Sequence, residues 1–259
     1  MKKSILFFIL FCFNPVLASQ DTVKWNTEKS THFIVYYKNA PEDFIKELIE
    51  KSEDYYNKIA SDLGFTRYDF WLWDNRAKIY IYDNAADYQS ATGEPLWSGA
   101  SAIPRPKIIQ TFPYARGFFE KILPHEMGHI IFREFVGFDN SAIPLWLEEG
   151  VASYQEKLTY SMANAFVRKT MEKGNFITLE RLSGFSSGSR MPDEAAQLFY
   201  VESFSIVDFL IKEFGKDKFV SFCQDLRDKK NLERAIASNY PFSNIQELGV
   251  AWDKYLKNG

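Results

Sequence analysis

The pentapeptide His125-Glu126-Met127-Gly128-His129 (HEMGH) decides how this sequence is read. Residues four apart share one face of an α-helix, so both imidazoles can point at a single metal ion. Glu126 lies about 100° round the helix from His125. A carboxylate there stands beside the ion rather than on it, where it can hold a water molecule and take its proton. The chain has only three histidines, and two of them are in this motif. Apolar residues flank it, Phe118, Phe119, Ile122 and Leu123 before and Ile130, Ile131 and Phe132 after, which predicts a buried helix. Burial would strip a bare histidine pair of its hydration without return, and a bound metal supplies the return. The same spacing also arises by chance on helices that bind nothing, so a third ligand has to be found.

Such a ligand lies a short distance on. Pro144 suits the first position of a second helix, running through Leu145-Trp146-Leu147-Glu148-Glu149-Gly150 to about Lys157. Glu148 and Glu149 point about 100° apart, so one of them can reach the ion directly. Spacing alone leaves both open.

HEMGH followed by PLWLEEGVASY resembles the gluzincin metallopeptidases, above all their compact bacterial peptidase MA-like members. The resemblance implies that the glutamate just before the glycine is the third ligand, here Glu149, leaving Glu148 as an outer or solvated residue. It also makes Ser153, one turn after Glu149, a candidate for orienting a ligand histidine. Further on, the same families carry a tyrosine opening a Y-x-x-[GS]-x-x-x-x-x-[FY]-L segment. Tyr200, Ser203, Phe209 and Leu210 stand at those positions, with serine where glycine is frequent. Tyr200 is thereby implied as the donor to the developing oxyanion. The implied fold is α+β, of the zincin (thermolysin-like, peptidase MA-like) type: a small N-terminal mixed sheet with helices, then a helical C-terminal half.

Lys2 and Lys3, the apolar run Ile5 to Phe13 and Val16-Leu17-Ala18 read as a secretory signal peptide over residues 1–18. The run is too short to span a bilayer comfortably, and Phe11 before Cys12 does not fit a lipoprotein signal. Cleavage removes two of the 31 basic residues and none of the 34 acidic ones, for a net charge of about −5. Nothing basic enough for nucleic acid remains. One cysteine stays, Cys223, which cannot form an internal disulfide and reads as a small buried hydrophobe. About 240 residues, with 46% hydrophobic residues in the full chain, suffice for a core without staples.

Residues 19–259 read as one domain, sheet-bearing over 19–115 and helical over 116–259. The sheet part offers strands at Thr31 to Tyr37 and Ala77 to Asp83, a helix from Pro41 to Gly64, a short helix from Ala85 to Ala91, and a hairpin or two edge strands within Ser98 to Phe112. His32 reads as structural. Pro124 either starts the motif helix or bends it. Gly128 lets another backbone, expected to be a strand, come close. Helices then follow at Ser161 to Glu172, at Thr178 to Leu182, from Pro192 to Gly215 and in two or three segments beyond; Ser183 to Arg190 is loop by composition.

These readings describe an exported zinc peptidase. One Zn²⁺ on His125, His129 and Glu149 keeps an open position, Glu126 is the general base, Tyr200 assists, and the partner is a peptide or protein. Two other readings remain. One is a non-catalytic relative that binds protein or glycan through aromatics such as Trp71, Trp73, Trp97 and Tyr114. The other is a structural zinc site, for which the sequence offers no fourth ligand.

Overall fold

The computed structural model describes residues 24–65, 71–95, 98–156, 160, 162–186 and 192–258. Five strands form one mixed sheet in the order β1-β2-β3-β5-β4: β1 (Asn26–Lys29), β2 (Phe33–Tyr37), β3 (Ala77–Ile81), β4 (Ala100–Ile103) and β5 (Ile108–Thr111). β2, β3 and β5 run parallel, while β1 and β4 close the two edges antiparallel. Period-2 alternation explains the strands. Phe33, Val35, Ile79, Ile81 and Ile109 are fully buried on the inner face. Tyr36 and Tyr80 stack on the outer face, with Trp25 edge-on to Tyr80. β1 was missed in the sequence, because NTEK is exposed along its whole length and shows no alternation.

Helices α1 (Glu42–Leu63) and α3 (Leu123–Val136) cover the inner face. α1 is built as its spacing predicts, with Phe44, Leu48, Tyr56, Ile59 and Leu63 on one buried stripe, Pro41 just outside its start and Gly64 in the left-handed region at its end. The short helix is α2 (Ala85–Thr92), capped by the Asn84 side chain. β4 and β5 form the expected hairpin, turning through Pro104 to Lys107. His32 has local partners, as a structural residue does: its Nδ1 donates to Glu53 Oε2 at 2.5 Å and its ring stacks on Tyr56.

The C-terminal half is helical: α4 (Leu145–Tyr154), α5 (Ala163–Glu172), α6 (Leu179–Ser183), α7 (Asp193–Phe214), α8 (Lys216–Lys229), α9 (Leu232–Asn239) and α10 (Ile245–Asn258). α4 is shorter than the sequence suggested, and Lys157 lies outside the described residues. α7 is the central helix. Every residue from Glu202 to Ile211 is buried, the pattern of a helix enclosed on all sides. Cys223 is buried on α8. Residues 1–18, read from the sequence as a signal peptide, part of the Ser183 to Arg190 loop and Trp97 lie outside the described residues. Among the described residues no helix is long and apolar enough to cross a membrane.

Candidate metal centre

A π-helical turn (Phe118–Ile122) runs directly into α3, and Pro124 sits in the first turn of that helix. There its missing N–H costs no hydrogen bond. The proline therefore starts the regular helix rather than bending it, and His125 to His129 follow on undistorted α-helix.

Two glycines then set the distances. A Cβ on Gly128 would come within 3.0 Å of Ala152 Cα on α4. The close neighbour is thus a helix and not the strand expected from the sequence. A Cβ on Gly150 would come within 2.8 Å of both the Ser203 carbonyl carbon and Val207 Cγ2 on α7. Gly128 lies between the two histidines, Gly150 directly follows Glu149, and Ser203 lies one turn after Tyr200. Backbone contact at these two points draws α3, α4 and α7 together around the histidines, Glu149 and Tyr200.

The donor atoms form a triangle. His125 Nε2 and His129 Nε2 are 3.1 Å apart, and Glu149 Oε2 lies 3.6 Å from the first and 3.5 Å from the second. A four-coordinate ion with bonds of about 2.0–2.2 Å spreads its donors about 3.3–3.6 Å apart. His125, His129 and Glu149 therefore fit a metal ion in donor type and in spacing. A second observation agrees with the triangle. His125 Nδ1 is bonded to Glu156 Oε1 at 2.8 Å. With the proton on Nδ1, the Nε2 lone pair is turned to the centre of the triangle.

Glu156, just past the C-terminal end of α4, does what the sequence reading gave to Ser153. A carboxylate two turns after Glu149 carried no family signal in the sequence. Ser153 is fully buried against the neighbouring helices. Glu148 is tied to α3: Arg133 Nε donates to its Oε1 at 2.7 Å and Arg133 Nη2 to its Oε2. That fork holds Glu148 3.8 Å from His129 Nδ1, beyond hydrogen-bond reach.

The field in the site is strongly anionic. Burial alone would lower the pKa of His125, but hydrogen bonds to Glu149 and Glu156 and the charge of Glu126 outweigh it and lift the value to about 10. Burial lowers His129, and neighbouring His125 adds to the effect. Glu149 is depressed despite burial, through its contact with the two histidines. A cluster that holds a proton this firmly will hold a cation in its place, releasing the proton. Glu126 points elsewhere. Burial, with Glu149 and Glu94, raises it to about 7, against the pull of His125 and of a hydrogen bond from the Ala102 backbone on β4. It lines a cavity of about 330 Å³ with His129, Glu148, Glu94 and β4 residues Ala100 to Ala102.

Tyr200 lies on α7 at the opposite rim, about 38% exposed. Burial and then the charge of Glu149 push its pKa to about 12, so it stays a neutral hydrogen-bond donor at neutral pH. Tyr160 is a second phenol at the rim, also raised to about 12 by burial and stacked on Phe204. Among 14 tyrosines nothing in the sequence singled it out. Of the aromatics considered for a binding surface, Trp71 is a fully buried core residue bonded to Glu134, while Trp73 and Tyr114 are exposed.

No curated protein matches this sequence. Residues 73–258, from the chain segment before β3 to the end of α10 and including the whole donor triangle, match the family model of the Peptidase MA superfamily. With most of its length covered by that match, the chain belongs to the Peptidase MA superfamily.

Proposed function

We propose that the protein is an exported zinc-dependent peptidase of gluzincin type, with His125, His129 and Glu149 as the metal ligands. The observation that supports this most is the donor triangle with a carboxylate, Glu126, half-buried beside it and held near neutrality. Zinc in such a site polarises a carbonyl and lowers the pKa of water toward about 7.

The chain's own groups supply the rest. Glu126 accepts a proton from the attacking water and returns it to the leaving amine. Its pKa of about 7 suits both directions of transfer at neutral pH. Tyr200, neutral and at the rim, donates to the oxyanion as it develops. An extended substrate segment can lie along the open edge of β4, adding a strand to the sheet beside Glu126. Export rests on the leader-like residues 1–18.

The test is metal analysis and a peptide-library digest on the purified chain and two variants. About one zinc per chain and cleavage abolished by a chelator are expected. Glu126→Gln should keep zinc and fold and lose about 10²- to 10⁴-fold in turnover; Tyr200→Phe should lose about 10²- to 10³-fold in kcat with little change in KM. Near-normal turnover of Glu126→Gln would remove it from the mechanism, and a zinc-free active enzyme would end the proposal.

A further inference from the structure

A cavity of about 370 Å³ opens between α5 and the first half of α7, lined by Tyr160, Met162, Ala163, Phe166, Tyr200 and Val201, with Gln197 at its border. No charged side chain lines it among the described residues. The cavity at Glu126 and His129 is the reverse, with Glu94, Glu126 and Glu148 in its lining. Large hydrophobic residues rarely stand free in water together. Here three of the seven exposed ones among the described residues, Met162, Phe166 and Tyr200, surround this one cavity. Met162 is 69% exposed at the start of α5.

Its position ties it to the metal centre. Tyr200 is shared: it lines the cavity and feels the charges of Glu149 and Glu126. Tyr160, also in the lining, feels Glu156 and Glu149. The contact of Gly150 with Ser203 places the Tyr200 turn of α7 alongside Glu149. Past Phe166 and Gln197 the cavity continues into a groove of about 640 Å³, where Lys169 and Lys173 stand. A polypeptide held at the triangle can thus put one side chain into the apolar cavity and run on along α5.

We propose that this α5–α7 cavity is a specificity pocket which takes one large apolar side chain, of leucine or phenylalanine type, from a bound peptide next to the metal centre. Met162, Phe166 and Val201 set its size. The proposal rests on the peptidase reading for the identity of its occupant, and the test separates the two.

Binding is measured by NMR titration on zinc-loaded Glu126→Gln protein with the tripeptide amides acetyl-Ala-X-Ala-amide, X being Leu, Phe, Ser, Asp or Lys. Leu and Phe should bind about 10- to 100-fold tighter than Ser, Asp and Lys, the range by which apolar pockets discriminate. Val201→Trp, which fills the cavity, should erase that ranking. Phe166→Ala, at a residue 44% exposed and therefore tolerated by the fold, should shift the preference toward X = Trp. Equal binding of all five amides overturns the proposal. So does a ranking that survives Val201→Trp in a folded protein together with an unchanged ranking in Phe166→Ala. Cleavage of the same amides by the unsubstituted enzyme is scored separately: ranked binding without cleavage keeps the pocket and removes the peptidase.

Discussion

α3 and α7 are both buried helices that carry several polar side chains, yet they use them in opposite ways. On α3 three of the polar groups, spaced four apart, share one face and find partners there, His125 with Glu156 and Arg133 with Glu148, while Glu134 turns to the opposite face and bonds Lys107 and the Trp71 indole. On α7 they diverge round the helix. Tyr200 faces the cleft, while Glu202, 200° away, is fully buried on another side, where Oε1 accepts the backbone N–H of Ile177 and Oε2 has no hydrogen-bond partner among the described residues. Ser205 and Asp208 both bond Asn164, on α5. α3 is thus a platform for one site, and α7 is a core helix that touches the site at one turn. Polar atoms that converge imply a ligand; polar atoms that diverge imply separate local compromises.

That contrast breaks most easily at α4, which supplies the convergent side with its third corner. Glu149→Ala should lower zinc affinity by about 10³-fold or more, beyond the roughly 10- to 100-fold typical of outer partners. Glu148→Ala should leave zinc affinity within about 10-fold. It should cost about 1–3 kcal/mol in folding stability, because Arg133 loses its forked partner in a half-buried position. Zinc titration and urea unfolding of the two variants check both halves. The reverse ranking in the titration would make Glu148 the ligand and break the triangle.

The convergent side was also the legible side. HEMGH fixes its own geometry within five residues, so α3, the histidine pair and the place of Glu126 follow from helical periodicity alone. Choosing Glu149 over Glu148 needed the family resemblance, and the Arg133 fork that occupies Glu148 is a reason no one-dimensional pattern contains. Glu156 and Tyr160 were not legible, since both follow the end of α4 and are placed only by tertiary packing, Glu156 against His125 and Tyr160 against Phe204 of α7. Gly128 was read correctly as a close contact and wrongly as contact with a strand, because a glycine reports that something approaches and not what. β1 was invisible for a different cause: a polar edge strand has no buried face to impose alternation.

Glu156 sharpens the comparison at intermediate size. If its bond to His125 Nδ1 orients the ring, Glu156→Ala should reduce zinc affinity about 10- to 100-fold while the α-helical signal and unfolding midpoint of the zinc-loaded protein change little. A competition titration against a chelator measures it. An unchanged affinity would mean that the helix backbone alone sets the His125 ring, and Glu156 would join the divergent class.

The smallest expected effect tests α7 from within. Burial, reinforced by Asp253 and opposed by the Ile177 N–H, raises the Glu202 pKa to about 8, well above the usual value near 4.5. The folded state therefore holds a proton that the unfolded chain gives up. Stability from this group is fully present below about pH 4.5 and is lost as pH rises toward about 8. Glu202→Gln keeps a carbonyl oxygen for the Ile177 N–H and carries no charge at any pH. Against the unsubstituted protein it should be near neutral at pH 5 and more stable by about 1–2 kcal/mol at pH 8, part of the gain being offset by the unpartnered amide N–H groups. Taking the difference between variant and parent at each pH cancels the titration of the metal centre, which both share. Urea unfolding at the two pH values decides the matter. Parallel stability curves would mean that Glu202 is ionised and paired in the folded chain, and that α7, like α3, gathers its buried charge around a partner.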